Sequence, residues 1–170
     1  MTAADEVFGR SPGASTDDVA RLAGVGIATV FRHFPTKTEL LEAVLTLRLE
    51  RLRDRALELA DSDDPGTAFY AFFTQVVSES ASKLAIAEAL AAAGTAIGAD
   101  TQKAGQGMRE AFDGLLTRAQ QAGAVRADAQ FPETYALLIG ASRGATAAAL
   151  EPHVRDRMLA LIYDGLKPHS

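Results

Sequence analysis

STDDVARLAGVGIATVFRHFPTKTELLEAVL, residues 15–45, reads as a short helix, a glycine turn, a second short helix and the capped start of a third. Ser15 or Thr16 is placed to cap the first helix, and Asp17 and Asp18 suit its first turn. That helix is expected to run to about Ala23, where Gly24 supplies the left-handed residue a tight interhelical turn requires. The second helix spans about Ile27 to Phe34 and stops at Pro35, which pushes the residue before it out of helical geometry. In Thr36-Lys37-Thr38-Glu39 the Thr36 hydroxyl and the Glu39 carboxylate make a capping box for the third. From Val19 to Thr38 the chain carries Arg21, Arg32, His33 and Lys37 and no acid.

A helix-turn-helix needs a small residue in its first helix, a glycine at the turn and branched apolar residues locking the helices together. Ala20, Gly24 and Val30 supply these, with Val19, Val25 and Phe34 completing the expected seam. The seam leaves Ile27, Ala28, Thr29, Phe31, Arg32 and His33 facing outward, a face of apolar, hydroxyl and cationic groups that fits a major groove. Arg32 can fork onto guanine or grip a phosphate, Thr29 can bond base or backbone, and Ile27 and Ala28 suit thymine methyls. Lys37 and Thr16 sit at helix N-termini, whose free amides are ready phosphate sites.

Working outward, helix signals dominate and no alternating strand pattern appears. A brief helix is expected at 2–9 with Val7 and Phe8 as core contacts, broken by Ser11-Pro12-Gly13. The capped third helix is long, about 38–60, and Asp61 to Gly66 forms a loop. Further helices are expected at about 66–81, 84–93, 101–122, 132–149 and 153–166. The fold class is therefore all-α: a helix-turn-helix head (1–46) joined by a long helix to a helical body (47–170).

Composition agrees. Residues 1–55 hold eight basic and eight acidic side chains, so the net charge of −5 sits in residues 56–170. Screening limits charge interactions to about 8–10 Å, so an acidic body does not prevent a local basic surface from meeting phosphate. The absence of cysteine excludes a disulfide framework, a thiolate zinc site and a Cys nucleophile. No apolar run approaches the roughly 18–20 residues of a membrane span, and MTAADEVFGR lacks the features of a signal peptide, so a cytoplasmic protein is expected. Without clustered histidines, a phosphate loop or a paired-carboxylate context, neither an enzyme nor a cofactor or metal is expected. His33 reads as a phosphate contact, and His153 and His169 as surface residues.

Ala23-Gly24-Val25-Gly26-Ile27-Ala28-Thr29-Val30-Phe31-Arg32-His33-Phe34, followed by Lys37, Leu40 and Leu41, resembles the head of the TetR (tetracycline-repressor) family of bacterial transcription regulators. The match covers about residues 14–45. A weaker likeness, from Leu115-Leu116 through Gly123, Arg126 and Asp128 to Gly140, is similar to the ligand-domain tail of one branch. By this resemblance Thr29, Phe31, His33 and Lys37 occupy DNA-contact positions. It also implies a homodimer, a helical effector pocket and release of double-stranded operator DNA when a small-molecule effector binds. Phe31 stands where the family usually has Tyr, and Gly26 where it usually has a Ser cap. The family's first helix usually starts further upstream, which predicts a shortened first helix here, and a helix of one or two turns is marginal alone.

In the body, Phe69, Phe72, Phe73, Met108 and Phe112, with Tyr70 and Tyr135, are candidates to line an apolar effector cavity, with Arg143 as a polar partner; ordinary core is the competing reading. The small residues of Gly140 to Ala149 suit close approach by a second copy through the last two helices, against the alternative of packing within the monomer. The expected function is a ligand-responsive regulator, acting as a repressor on a palindromic operator. The alternative is a helical small-molecule-binding or interaction protein whose shortened head no longer binds DNA.

Overall fold

The computed structural model of the chain describes residues 1–11, 13–94 and 96–168. Among them are nine helices and no strand: α1 (Thr2–Arg10), α2 (Thr16–Ala23), α3 (Ile27–His33), α4 (Lys37–Ala60), α5 (Pro65–Ser78), α6 (Ser80–Ala92), α7 (Ala99–Gln121), α8 (Phe131–Ala147) and α9 (Pro152–Leu166). Pro12, expected to help break the chain before α2, and His169, expected at the surface, lie outside the described residues. The chain falls into two compact units, neither of them one continuous stretch. The first holds Met1–Glu50 and Ser82–Gly105; the second holds Arg51–Ala81 and the chain from Gln106 onward.

The first unit is built on one buried cluster that joins Ala4 and Phe8 of α1, Val19 and Ala20 of α2, Val30 of α3, Val44 of α4 and Ile86 of α6. Phe8 and Val44 are fully buried. An arginine fastens the rim of this core: Arg48 donates from Nε to Asp5 Oδ1 at 2.6 Å, from Nη2 to the Asp5 carbonyl at 3.0 Å and from Nη1 to Ser82 Oγ at 2.8 Å. One guanidinium thus ties α1, α4 and α6 together, and both charged side chains are largely buried. Charge-assisted bonds of this length are the stronger kind.

The second unit packs α5 on α8 and α8 on α9. Its centre is aromatic. The Phe112 ring lies 5.6 Å from those of both Phe69 and Phe72 and 6.3 Å from that of Phe73, and all four side chains are fully buried. At the edge of this cluster Tyr163 shares a 2.7 Å hydrogen bond with Thr74 Oγ1, and Tyr70 donates to the Ala124 carbonyl at 3.1 Å. Both phenols are held above their ordinary pKa, chiefly by burial.

Local signals explain most helix starts. Asp64 caps α5 by accepting from the Thr67 amide at 2.9 Å, and Pro occupies the first turn of α5, α8 and α9. Two boundaries differ from the sequence expectation for non-local reasons. α5 ends at Ser78 and α6 begins at Ser80, where a single helix to 81 and a start at 84 were expected. The buried Ser80 hydroxyl lies 2.8 Å from the Val77 carbonyl and 3.2 Å from the Ser142 carbonyl on α8, stabilising the break. α7 starts at Ala99 instead of 101 because Glu42 of α4 accepts from the Gly98 amide and from the Thr101 hydroxyl, capping the helix from a distance.

Phe112→Ala would leave a cavity at the centre of four packed rings. It is expected to destabilise the fold by about 3–5 kcal/mol in urea unfolding followed by circular dichroism.

Candidate functional site

The two short helices at the N-terminus meet as their sequence dictates. Ser15 caps α2 in a reciprocal box: its hydroxyl accepts from the Asp18 amide at 3.2 Å, and Asp18 Oδ2 accepts from the Ser15 amide at 2.9 Å. Gly24 ends α2 at φ +67°, a left-handed conformation that L side chains rarely adopt, and a Cβ there would meet no neighbour within 4 Å. The glycine requirement is therefore conformational, not steric. At α4, Thr36 Oγ1 accepts from the Glu39 amide and donates to Glu39 Oε1, both at 3.1 Å.

α3 carries most of the predicted contact residues. Val30 is buried in the core cluster, so the opposite side of the helix faces out. Ala28, Phe31, Arg32 and His33 are exposed, Phe31 by 45%, while Thr29 is half-buried at the edge. Arg32 makes no ion pair or hydrogen bond among the described residues. Arg21, by contrast, is held by Asp17 at 2.8 Å and Asp18 at 3.5 Å on its own helix. Of the basic residues in the acid-free stretch, Arg32 is thus the one on the outward face of α3 with its full fork available.

Two residues stand elsewhere than the sequence placed them, while Thr16 and Lys37 keep their places at helix starts with surroundings it did not foretell. Ile27, expected outward, is half-buried against the core, because it lies one helical turn before Val30 and extends the same seam. Val25, expected in the seam, is 42% exposed: its amide bonds back to the Ala20 carbonyl, and its side chain reaches the rim of a cleft of about 220 Å³ shared with Thr29, Val30 and His33. Thr16, read as a phosphate contact, is 8% exposed inside the first turn of α2, while Ser15 does the capping. Lys37 donates from Nζ to the Gly13 carbonyl at 3.1 Å and lies 5.8 Å from the Phe8 ring centroid, tying the loop before α2 to α4. Leu22, exposed on α2, was missed, although its offset from the Val19-Ala20 face marks it as outward.

In the second unit Phe69, Phe72, Phe73, Phe112 and Met108 come together as buried core, with the Phe112 ring in contact with the other three. Tyr135 is half-buried and stacks on Phe131 at 5.5 Å, and Phe131 in turn lies 6.2 Å from Phe112. Arg143 is exposed on α8 and does not join these rings. Along the same exposed side of α8 run Ala136, Leu137, Gly140, Gly144 and Ala147. α9 exposes Val154 and, at 76%, Leu161. No group of histidine and carboxylate side chains able to hold a metal occurs among the described residues, and no described helix is long and apolar enough to cross a membrane.

A capped helix-turn-helix with a free arginine on its second helix, followed by a helical body, defines the class of helical DNA-binding regulators. Residues 1–44 match the family model for bacterial regulatory proteins of the tetR family, and residues 64–168 match that for the SbtR-like transcriptional regulator C-terminal domain. A TetR transcription regulatory protein from Mycobacterium vanbaalenii is 32% identical, with 98% of this chain and 91% of that one covered and a TM-score of 0.78. A TetR transcriptional regulator from Streptomyces coelicolor is 30% identical, covering 99% and 97%, with a TM-score of 0.79. Among curated proteins none matches significantly. The chain belongs to the TetR family of transcription regulators. DNA binding, response to small-molecule effectors and dimerisation are general to that family.

Ser15→Ala removes the α2 cap and is expected to lower the thermal midpoint by about 2–4 °C at neutral pH. The bonds from Ser15 hold Asp18 below its ordinary carboxylate pKa. A depressed carboxylate stabilises the fold above its unfolded pKa and loses that contribution as pH falls through the folded value. The difference between wild type and variant should therefore be full near pH 7 and shrink below about pH 4, as followed by thermal melts across pH.

Proposed function

We propose that the chain is a ligand-responsive repressor that binds a palindromic operator as a homodimer and acts on neighbouring genes in the cytoplasm. The observation that carries this reading is the outward face of α3, with Arg32 unpaired beside exposed Ala28, Phe31 and His33. An unpaired guanidinium on a groove-sized helix can fork onto guanine O6 and N7 or hold a phosphate. Thr29 and Ile27 flank that face. Lys37, and the Thr16 main chain at the start of α2, are proposed phosphate contacts that would set register, not sequence.

The reading assigns DNA binding to residues 1–46 and effector binding and dimerisation to residues 47–170. The exposed apolar and small residues of α8 and α9, from Leu137 and Gly140 to Leu161, support self-association through those helices. Phe69, Phe72, Phe73, Met108, Phe112, Tyr135 and Arg143 are the proposed effector contacts. Because these rings pack on one another, an effector entering there must separate them. That displacement would move α4 and alter the spacing of the two recognition helices. Half-sites about 34–36 Å apart tolerate little change in that spacing.

The full chain is expected to retard DNA from its own upstream region, sequence-specifically and at low salt. Arg32→Ala should weaken specific binding at least about ten-fold and leave the folded dimer intact. A folded dimer giving no sequence-specific retardation would defeat the DNA reading and favour a helical ligand-binding or interaction protein.

A further inference from the structure

The second unit holds a cleft that none of these roles uses. It has a volume of about 400 Å³ and lies where the end of α5 and the start of α6 face the turn from α8 to α9. Val77, Ala81, Ala145 and Leu150 give it an apolar wall. Ser80, Thr146 and Arg155 give it a polar one. Ser80 Oγ and Thr146 Oγ1 are 3.1 Å apart, and Ser80 Oγ also reaches the Val77 and Ser142 carbonyls. Because Ser80 Oγ has carbonyl acceptors for its own hydrogen, Thr146 Oγ1 donates to Ser80 Oγ, and its hydroxyl turns to an anion in the cleft by exchanging that bond for a charge-assisted one.

Arg155 is the one charged residue of this lining, and its bonding is incomplete. Nη2 meets Asp156 at 3.3 Å, but the Asp156 side chain is 63% exposed, so solvent screens the pair. Nε is buried with no acceptor, and the Ser142 hydroxyl, one turn before Thr146, is a second buried polar atom without a partner. Glu151, one turn before Arg155, makes no ion pair among the described residues. A buried donor left without an acceptor is costly, and more so on a charged group than on a neutral one. Neighbouring side chains shield Nε from bulk solvent. The long, flexible arginine stem allows the fork to turn into the cleft it borders, and the planar fork suits a carboxylate bidentately.

We propose that this cleft binds a small monocarboxylate with a short apolar tail, its carboxylate held by Arg155 and Thr146 and its tail lying against Val77, Ala81, Ala145 and Leu150. One guanidinium suits a single negative charge, and the alanine-rich wall suits a chain of a few carbons. Cleft volume falls in the lower part of the range of small-molecule sites. Binding of this kind does not require DNA, so the proposal stands or falls separately from the operator reading.

The test is calorimetric titration of the full chain with butyrate at constant ionic strength, with butyramide as the uncharged isostere and inorganic phosphate as the alternative anion. Saturable butyrate binding in the region of about 1 mM is expected, with butyramide and phosphate each at least about ten-fold weaker. Arg155→Gln should weaken butyrate at least about ten-fold, and Arg155→Lys should retain part of the affinity. Ala81→Leu, at an exposed position on the cleft wall, should block binding while leaving Arg155 in place. Circular dichroism establishes that each variant is folded. No saturable butyrate binding, equal binding by folded Arg155→Gln, or phosphate matching butyrate would each overturn the assignment.

Discussion

The burial of Val30 is the constraint on which the outward chemistry of this protein depends. Val30 shares one cluster with Val19 and Ala20 of α2 and with Phe8 of α1, and burying a side chain of its size contributes about 1.5–3 kcal/mol. Rotating α3 by one residue position would lift Val30 into water and turn Arg32 toward the core, where an unpaired charge is far more costly. The helix therefore has one workable orientation, and that orientation shows Ala28, Phe31 and Arg32. Gly24 holds the turn that makes the orientation reachable, because its left-handed backbone lets the Val25 amide return to the Ala20 carbonyl.

Packing also settles how the balanced charges of residues 1–55 are used. Arg48 is consumed by Asp5 and Ser82, Arg21 by Asp17 and Asp18, and part of the Lys37 ammonium by the Gly13 carbonyl. Each of these cations has a structural task, which leaves Arg32 available to a partner. A count of charges along the chain does not reveal this, since Arg21 and Arg32 look alike within an acid-free stretch.

In the second unit the aromatic cluster and the polar seams at its edges divide the work. Phe69, Phe72, Phe73 and Phe112 supply packing, while Tyr70, Thr74 and Tyr163 bury their hydroxyls only where an acceptor waits. Ser80 extends the pattern by linking the break between α5 and α6 to α8. Arg155 departs from it, with a buried donor that no protein group satisfies.

Much of the architecture was determined by the sequence itself. The all-helical character, the left-handed Gly24, the Ser15 and Thr36 caps, the prolines opening α5, α8 and α9, and the exposure of Arg32 follow from local rules that act within a few residues. The features that local rules did not foretell are those that depend on a distant partner. Ile27 turned inward because a neighbouring helix offered apolar surface, Lys37 was drawn to a carbonyl 24 residues away, and α7 was lengthened by a carboxylate on α4. The α5–α6 break has no glycine or proline to announce it, because a serine hydroxyl and a facing helix produce it. Backbone propensity and capping are written in neighbouring residues and can be read there. Side-chain pairing between distant segments exists only once the chain has folded, and it is this pairing that occupied Arg48 and Lys37 and left a cleft open beside Arg155.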